Sequence, residues 1–298
     1  MSGTTTSTLA RDLRTAARAD LPRLRAVHPE SLRPPMRRRL LTAAVVAGLV
    51  GLAVFAVWRL DFSLARFLAG FGRLGSFVPL MLPPDPGSWS KALLFLHALA
   101  ETVAIAFLGT LLAALLALPF GFLAARNATI NRVVQFASRR FLDSIRGVDA
   151  LIWALIWINV VGLGPFAGVL AVMTADIGAF GKLFSEAIEA AERKPVEGVT
   201  STGGSRLHQI RFGILPQVLP IMAGQVLYYF ESNTRSSTII GVVGAGGIGL
   251  HLSEMIRTLE WQAVSFILIL VLVTVALIDL VSGRLRRAVI GGARLQAI

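Results

Sequence analysis

The sequence of 298 residues contains no cysteine, and only 15% of its residues are charged. Without cysteine the chain forms no disulfide bonds, performs no thiolate catalysis and holds no cysteine-ligated zinc or iron–sulfur cluster. A P-loop of the form GxxxxGK[ST] is also absent, so any ATP hydrolysis has to come from another chain. Metal-ligand spacing and a serine nucleophile elbow are missing too, so we predict no catalytic residue and no metal ligand. The four histidines are scattered: His28, His97, His208 and His251.

Hydrophobic residues make up 55% of the sequence, and its mean hydropathy is +0.70. Soluble domains rarely have this composition, whereas membrane proteins with several spans commonly do. A helix crosses a hydrocarbon core of about 30 Å with about 20 apolar residues. We therefore predict an all-α, polytopic membrane protein with about six spans. The predicted spans are residues 40–58, 96–125, 136–161, 166–184, a stretch from Leu215 that passes Glu231, and 264–280.

One connection and two spans depart from simple apolar runs. Residues 61–91 contain four prolines and indicate an external, partly amphipathic connection. The first half of 136–161 carries arginine and aspartate, so it is expected to face protein or the cytoplasmic interface. The fifth span is interrupted by glycines between Gly241 and Gly249, which permit bends.

The formal net charge of +12 indicates either nucleic-acid binding or basic cytoplasmic loops. With six spans, the arginine clusters in the N-terminal tail and at 126–146, 193–211 and 284–294 all fall on one side. This distribution follows the positive-inside rule, and nucleic-acid binding is no longer needed to explain the charge. We predict a multi-pass protein of the cell inner membrane with cytoplasmic termini. Its parts are a basic tail (1–39), a first span with an external connection (40–95), a core (96–290) and a C-terminal tail (291–298).

Residues 195–220 form a polar, basic segment between apolar spans. Pro195 and Glu197 suit a first helical turn, Gly203-Gly204 breaks the helix, and Ser205 can cap a second one. Apolar residues then recur at helical spacing from Leu207 onward. The segment is therefore predicted to be a helix–turn–helix at which another protein docks, rather than merely a solvated basic loop.

On the cytoplasmic face, this segment resembles the signature loop of ABC-importer membrane subunits. That signature is Glu-Ala-Ala, a Gly after three more residues, and a later Leu-Pro. Three residues depart from it, because Gly198 and Val199 replace the two alanines and Gly213 replaces the isoleucine that usually precedes Leu-Pro. The resemblance implies that the ATPase-coupling residues are Glu197, Gly198, Val199, Gly203, Leu215 and Pro216.

Residues 95–290 resemble permeases of the phosphonate-type ABC transporters. The resemblance implies a type I importer permease fold, a second permease subunit, expected here as an identical copy, and two ATPase subunits that bind ATP and Mg²⁺. It also implies an extracytoplasmic substrate-binding protein, and no cofactor on this chain. It is carried by AETVAIAFLGTLLAALLALPFGFLAARN (100–127), ALIWALIWINVVGLGPFAGVLA (150–171), GKLFSEAIE (181–189), RFGILPQVLP (211–220) and RSSTIIGVVGAGGIG (235–249).

The glycine tract and its surroundings are candidate pathway or gate residues. One interpretation is a broken helix beside the passage, and the other is close helix packing through small residues. Preceding hydroxyls could bind an anion, whereas the Asp176 carboxylate would repel a phosphonate and could instead hydrogen-bond between helices. The candidates are Ser236, Ser237, Thr238, Gly244, Gly246, Gly247 and Asp176.

The sequence therefore predicts the permease subunit of an ATP-driven importer for phosphonates or a related phosphorus oxyanion, such as phosphite or phosphate. The first alternative is an importer permease for another small solute, such as an amino acid or an organic cation. A membrane enzyme or a receptor without a transport role is the alternative from a different class.

Overall fold

The computed structural model describes residues 36–129 and 131–295, with side chains described as far as Ala288. The regular elements in these residues are helices, which confirms the predicted all-α fold. Most of the predicted tail at 1–39 lies outside the described residues, as do residues 296–298. The helices are α1 (Met36–Arg59), α2 (Leu64–Phe77), α3 (Trp89–Ala124), α4 (Arg132–Arg146), α5 (Ala150–Val161), α6 (Pro165–Glu189), α7 (Arg193–Ser201), α8 (Arg206–His208), α9 (Leu215–Val242), α10 (Ile248–Arg257) and α11 (Trp261–Leu295).

The chain divides into two compact units between Gly75 and Ser76. In the first unit, α1 has no buried residue along its 24 residues, and its apolar side chains point outward all round. This pattern suits a span whose sides face lipid. In α2 the rings of Phe67 and Phe71 pack edge to face, with centroids 5.1 Å apart.

Among the described residues, five helical runs are long and apolar enough to cross a membrane, or six if a bent helix pair is counted as one span. The prediction of about six spans is confirmed. The second span begins at Trp89, earlier than predicted, because Ser88 caps α3 by accepting a hydrogen bond from the amide of Lys91. The external connection contains α2 and a 3-10 turn at Val78–Met81.

The predicted third span is not one continuous helix. Helices α4 and α5 meet at an angle of 86°. Helix α4 ends at Arg146, and Asp149 starts α5 by accepting a hydrogen bond from the amide of Leu151. The polar residues that marked the first half of this span belong to α4, where Leu142 is the one buried residue. An acidic helix cap inside an apolar run is the physical reason for the bend.

Small residues bring the helices of the second unit close together. A Cβ on Gly109 of α3 would lie 2.7 Å from the Val172 side chain of α6, and one on Gly121 would lie 2.8 Å from Phe184 Cβ. On the other side of α6, Gly178 touches the end of α4, where a Cβ would lie 2.8 Å from both the Arg146 nitrogen and the Leu142 oxygen. Close backbone approach of this kind is how helices associate in membranes.

The contact at Gly178 yields the first prediction. Gly178→Ala places a methyl group against α4 backbone, which cannot rotate away as a side chain can, so we expect a loss of about 1–3 kcal/mol in stability. The effect is measured as a lower melting temperature of the detergent-solubilised protein. Gly283→Ala is the matched control, because a Cβ there meets no atom within 4 Å among the described residues. Equal melting temperatures for the two variants would contradict this packing argument.

Candidate functional site

The segment predicted to couple to an ATPase folds as two short helices around a glycine turn. Helix α7 ends at Ser201, and Gly203 turns the chain with a φ of +78°. Ser205 then starts α8, and its hydroxyl oxygen lies 3.0 Å from Nδ1 of His208, which also accepts from the Ser205 amide at 3.3 Å. A π-helical turn, Gln209–Ile214, leads directly into α9. The predicted helix–turn–helix is confirmed.

Leu215 and Pro216 mark where this segment becomes a membrane span. Leu215 is the first residue of α9, and Pro216 lies in its first turn, where a missing amide donor costs nothing. Of the remaining candidate residues, Glu197 and Gly198 lie on exposed positions of α7, and Val199 is partly buried against the turn. The structure therefore places the candidate coupling residues on one continuous segment.

The side chain of Gln217 holds α7 against the start of α9. Its Oε1 accepts a hydrogen bond from the Glu192 amide at 2.9 Å. Its Nε2 donates to the Gly213 carbonyl at 2.6 Å and to the Glu192 carbonyl at 3.3 Å. No local pattern pointed to this role, because a glutamine in RFGILPQVLP shows nothing about its partner 25 residues away.

Two glycines let α7 pack closely on the π-helical turn. A Cβ on Gly213 would lie 3.0 Å from the Cα of Val196, and a Cβ on Gly204 would lie 2.7 Å from the Val199 side chain. At Gly213, which departs from the family signature, the absence of a side chain therefore allows close helix contact. Gly198, another departure, faces open space, since a Cβ added there would meet no atom within 4 Å among the described residues.

Two large apolar side chains project from this otherwise polar segment. Leu207 is 77% exposed and Phe212 is 58% exposed. The Phe212 ring stacks on His208 with centroids 6.1 Å apart, and the Arg211 guanidinium lies 5.4 Å from its centroid. Apolar residues exposed together on a polar surface are typical of protein contact sites. In the sequence, Leu207 falls at helical spacing with the apolar residues that follow it. This spacing places it on the apolar face of the helix and does not predict that its side chain is exposed.

A hydrogen-bonded base supports the segment. The Glu189 carboxylate accepts from the amide of Arg126 at 2.7 Å and from the side chain of Arg139 at 2.5 Å. Asn127 donates to the Ile188 carbonyl at 2.7 Å, and Arg206 donates to the Ala128 carbonyl at 3.1 Å. The ends of α3, α4 and α6 are thereby joined to one another and to the start of α8.

The glycine tract is a break between α9 and α10 that is packed tightly on α3. The Gly247 amide donates to Oε1 of Glu101 at 2.9 Å, and the Ile248 amide donates to Oγ1 of Thr102 at 2.8 Å. Gly244, Gly246 and Gly247 have φ values of +101°, +84° and +76°. A Cβ on Gly246 would lie 2.7 Å from Glu101 Oε1. The tract is thus both a broken helix and a close backbone contact, and its role as a gate stays a prediction.

Asp176 belongs to a buried polar network between three helices. Asn233 of α9 donates to Oδ2 of Asp176 on α6 at 2.5 Å and to Oγ1 of Thr110 on α3 at 2.8 Å. Asp176 is only 7% exposed. The interpretation that Asp176 hydrogen-bonds between helices agrees with these contacts.

The three hydroxyls at 236–238 do not converge on one surface. Ser237 is buried, and its Oγ has no hydrogen-bond partner among the described residues. Thr238 donates to the Thr234 carbonyl of its own helix at 3.4 Å, and Ser236 is partly buried. A shared anion site made of all three is therefore not formed in this arrangement.

The chain matches proteins of known families. The family model described as a binding-protein-dependent transport system inner membrane component matches residues 117–291. HtxC of Stutzerimonas stutzeri, described as a putative phosphite transport system permease protein, is 39% identical over 87% of this chain and 89% of its own length. The phosphate-import permease protein PhnE of Mycolicibacterium smegmatis is 37% identical over 85% of this chain, which spans 47% of that longer protein.

A solved structure shares the fold. A chain of the MetNI methionine ABC transporter in an inward-facing conformation superposes with a TM-score of 0.59, at 21% identity, over 68% of this chain and 99% of its own length. At this identity the likeness concerns the arrangement of the helices.

The Gln217 contacts yield the second prediction. Gln217→Met keeps the side-chain length but removes the two hydrogen bonds to Glu192, worth about 1 kcal/mol each, so α7 should open about 30-fold more often. Hydrogen exchange of the amides at 192–201 measures this opening. Gln209→Met is the matched control, because the Gln209 side chain makes no hydrogen bond within the described residues. Unchanged hydrogen exchange in Gln217→Met would show that the Gln217 hydrogen bonds are not needed to hold α7 in place.

Proposed function

The chain belongs to the family of binding-protein-dependent transport system inner membrane components, and we propose that it forms the passage for a phosphorus oxyanion in an ATP-driven importer. Its fold is that of type I importer permeases, and its family makes it a transport permease. Phosphonate, phosphite and phosphate are the proposed solutes, and the descriptions of HtxC and PhnE support phosphite and phosphate. The alternative is another small solute such as an amino acid, but the methionine transporter shares only the fold.

The exposed pair Leu207 and Phe212 carries the proposal that an ATPase docks at the coupling segment. Both side chains project from a segment that is hydrogen-bonded to α9 through Gln217 and to the end of α3 through Arg206. A docked partner could therefore move the segment and the spans as one body, since packed helices deform little. Glu197 adds a negative charge on the exposed face of α7 for pairing with the partner.

The remaining partners and the orientation follow from the same proposal. Two ABC ATPase subunits would bind ATP and Mg²⁺, because this chain lacks a P-loop. A second permease subunit, an identical copy, would complete the passage, and an extracytoplasmic substrate-binding protein would deliver the solute. The coupling segment and its basic neighbours would lie in the cytoplasm together with both termini, in agreement with the positive-inside rule. The basic residues at this end include Arg126, Arg139, Arg193, Lys194, Arg206 and Arg211.

The docking proposal predicts the effect of charge on the exposed pair. Leu207→Asp together with Phe212→Asp should lower ATPase copurification at least about tenfold, because a buried apolar anchor typically contributes more than about 1.4 kcal/mol to binding. Uptake into cells should fall in parallel. Both substitutions are on exposed positions, so the melting temperature of the isolated permease should be unchanged.

Leu259→Asp is the control for this prediction. Leu259 is 66% exposed and follows α10, at the end of the molecule away from the coupling segment. Its variant should copurify with the ATPase as the wild type does. Full copurification of the Leu207/Phe212 variant would refute docking through these side chains.

The substrate proposal is tested on the substrate-binding protein that the proposed importer requires. The purified protein should bind at least one of methylphosphonate, phosphite and phosphate, measured by calorimetry, and its ligand should be the solute that the assembled importer accumulates. A binding protein that ignores all three and binds an amino acid would refute the substrate class. Such a result would leave the permease function intact.

A further inference from the structure

Three charged side chains form a cluster where α9 packs beside α11. Glu231 is 8% exposed. Its Oε1 accepts from Nη1 of Arg235 at 3.3 Å, and its Oε2 accepts from Nη2 of Arg286 at 3.3 Å. The Arg286 guanidinium also lies 5.9 Å from the centre of the Tyr228 ring. Two cations share one anion, so the cluster carries a net positive charge.

The cluster lies within two candidate spans: Glu231 and Arg235 belong to Arg206–Val242, and Arg286 lies near the end of Trp261–Ala288, where the sequence predicts the cytoplasmic side. Along α3, Thr102 accepts a hydrogen bond from the first residue of α10, and Ala124 is the last residue of the helix, near the coupling segment. At 1.5 Å per residue these two residues of α3 are about 33 Å apart. This length matches a hydrocarbon core of about 30 Å. Glu231 lies about 16 Å and Arg235 about 10 Å before the end of α9 at Val242, by the same rise per residue.

Arg235 points away from α3 and α6, on the side of α9 where Glu231 and Tyr228 contact Arg286 of α11. Asn233, two residues earlier, faces α3 and α6, and two residues turn a helix by about 200°. The Arg235 side chain is 50% exposed in the isolated chain, on the side of α9 that also carries exposed Tyr228 and Ile239. Charged side chains at this depth face water-filled cavities or protein rather than lipid. The exposed part of Arg235 therefore belongs on the passage or on a subunit that lines it.

The guanidinium of Arg235 has donors to spare. Among the described residues, one of its N–H groups bonds Glu231, and at 3.3 Å that contact is long. Arginine binds phosphate-like oxyanions through two parallel N–H groups, which a lysine cannot do. Glu231 stays paired with Arg286 if Arg235 turns toward another anion. The cluster can thus exchange an internal anion for an external one without leaving a buried charge unpaired.

We propose that Arg235 is an anion-binding residue of the translocation pathway and that its ligand is the PO₃-type oxyanion of the solute. Glu231 and Arg286 are positioning residues: Glu231 holds Arg235 while the passage is empty and competes with the solute when it enters. This competition keeps binding weak enough for the solute to leave, as passage through a membrane requires. The inference rests on the proposed function, because it assigns the substrate group to a side chain.

The test uses the complete importer, with its ATPase and substrate-binding protein, in proteoliposomes. Methylphosphonate, phosphite and phosphate are supplied separately, and the solute accumulated per ATP hydrolysed is measured. Arg235→Gln should lower this ratio at least tenfold while ATP hydrolysis stimulated by the binding protein continues. The ratio for Arg235→Lys should fall between those of the wild type and Arg235→Gln, because lysine keeps the positive charge and lacks the paired N–H donors. Arg287→Gln, whose arginine bonds its own helix at the Gly283 carbonyl, should match the wild type.

The outcomes separate the two proposals. A wild-type ratio in Arg235→Gln, with a probe that the wild type carries, overturns the role of Arg235 and leaves the importer function standing. A wild type that carries none of the three probes but accumulates another solute overturns the substrate class itself. If Arg235→Gln does not assemble, the double variant Arg235→Gln/Glu231→Gln removes the carboxylate that has lost one of its two cations and decides instead. A tenfold loss supports the inference, and a wild-type ratio overturns it.

Discussion

The amide of Gly247 donates to the Glu101 carboxylate in the membrane part of the chain, and the amide of Ile248 donates to Thr102 beside it. Hydrocarbon offers no water to the free ends of a helix, so a helix can stop there only where protein supplies the partners. These two bonds let α10 begin inside the bundle and let α9 end before it. The turn between α5 and α6 is hydrogen-bonded to the break between α9 and α10, because the Gly164 amide donates to the Gly244 carbonyl at 3.0 Å. The positions of α3, α6, α9 and α10 thus depend on polar caps that a membrane makes obligatory.

The spans could be predicted because each is a local apolar run whose length is set by the bilayer. The glycine turn at Gly203 was predictable for a similar reason, since the backbone there has a positive φ that favours glycine. The bend before α5 was not, because Asp149 looks like a membrane charge in the sequence and acts as a helix cap in the fold. The roles of Glu101 and Thr102 depend on amides 146 residues away, which no local pattern shows.

Buried and partly buried acidic side chains are accommodated in different ways within one bundle. Asp176 is neutralised by no cation in the described residues and is instead held by the Asn233 amide, which also bonds Thr110. Glu231 is paired with two arginines, one of them half exposed. Glu189, near the coupling segment, accepts from a backbone amide and an arginine. The first arrangement fixes three helices to one another, the second leaves a cation with unused donors among the described residues, and the third joins the end of α6 to α4 and to the residues after α3.

The chain passes from the coupling segment into the membrane without an intervening loop. Residues Arg206–Val242 form one helical run of 37 residues, about 55 Å in length at 1.5 Å per residue. Because this helical run is continuous, we expect a rotation of its exposed end at Leu207 to rotate Arg235 and the glycine tract as well. The π-helical turn sets the rotational phase between the two ends, because one residue added or lost there rotates everything beyond it by about 100°. Under the proposed function, the width of this one turn therefore decides which side chains of α9 face the passage.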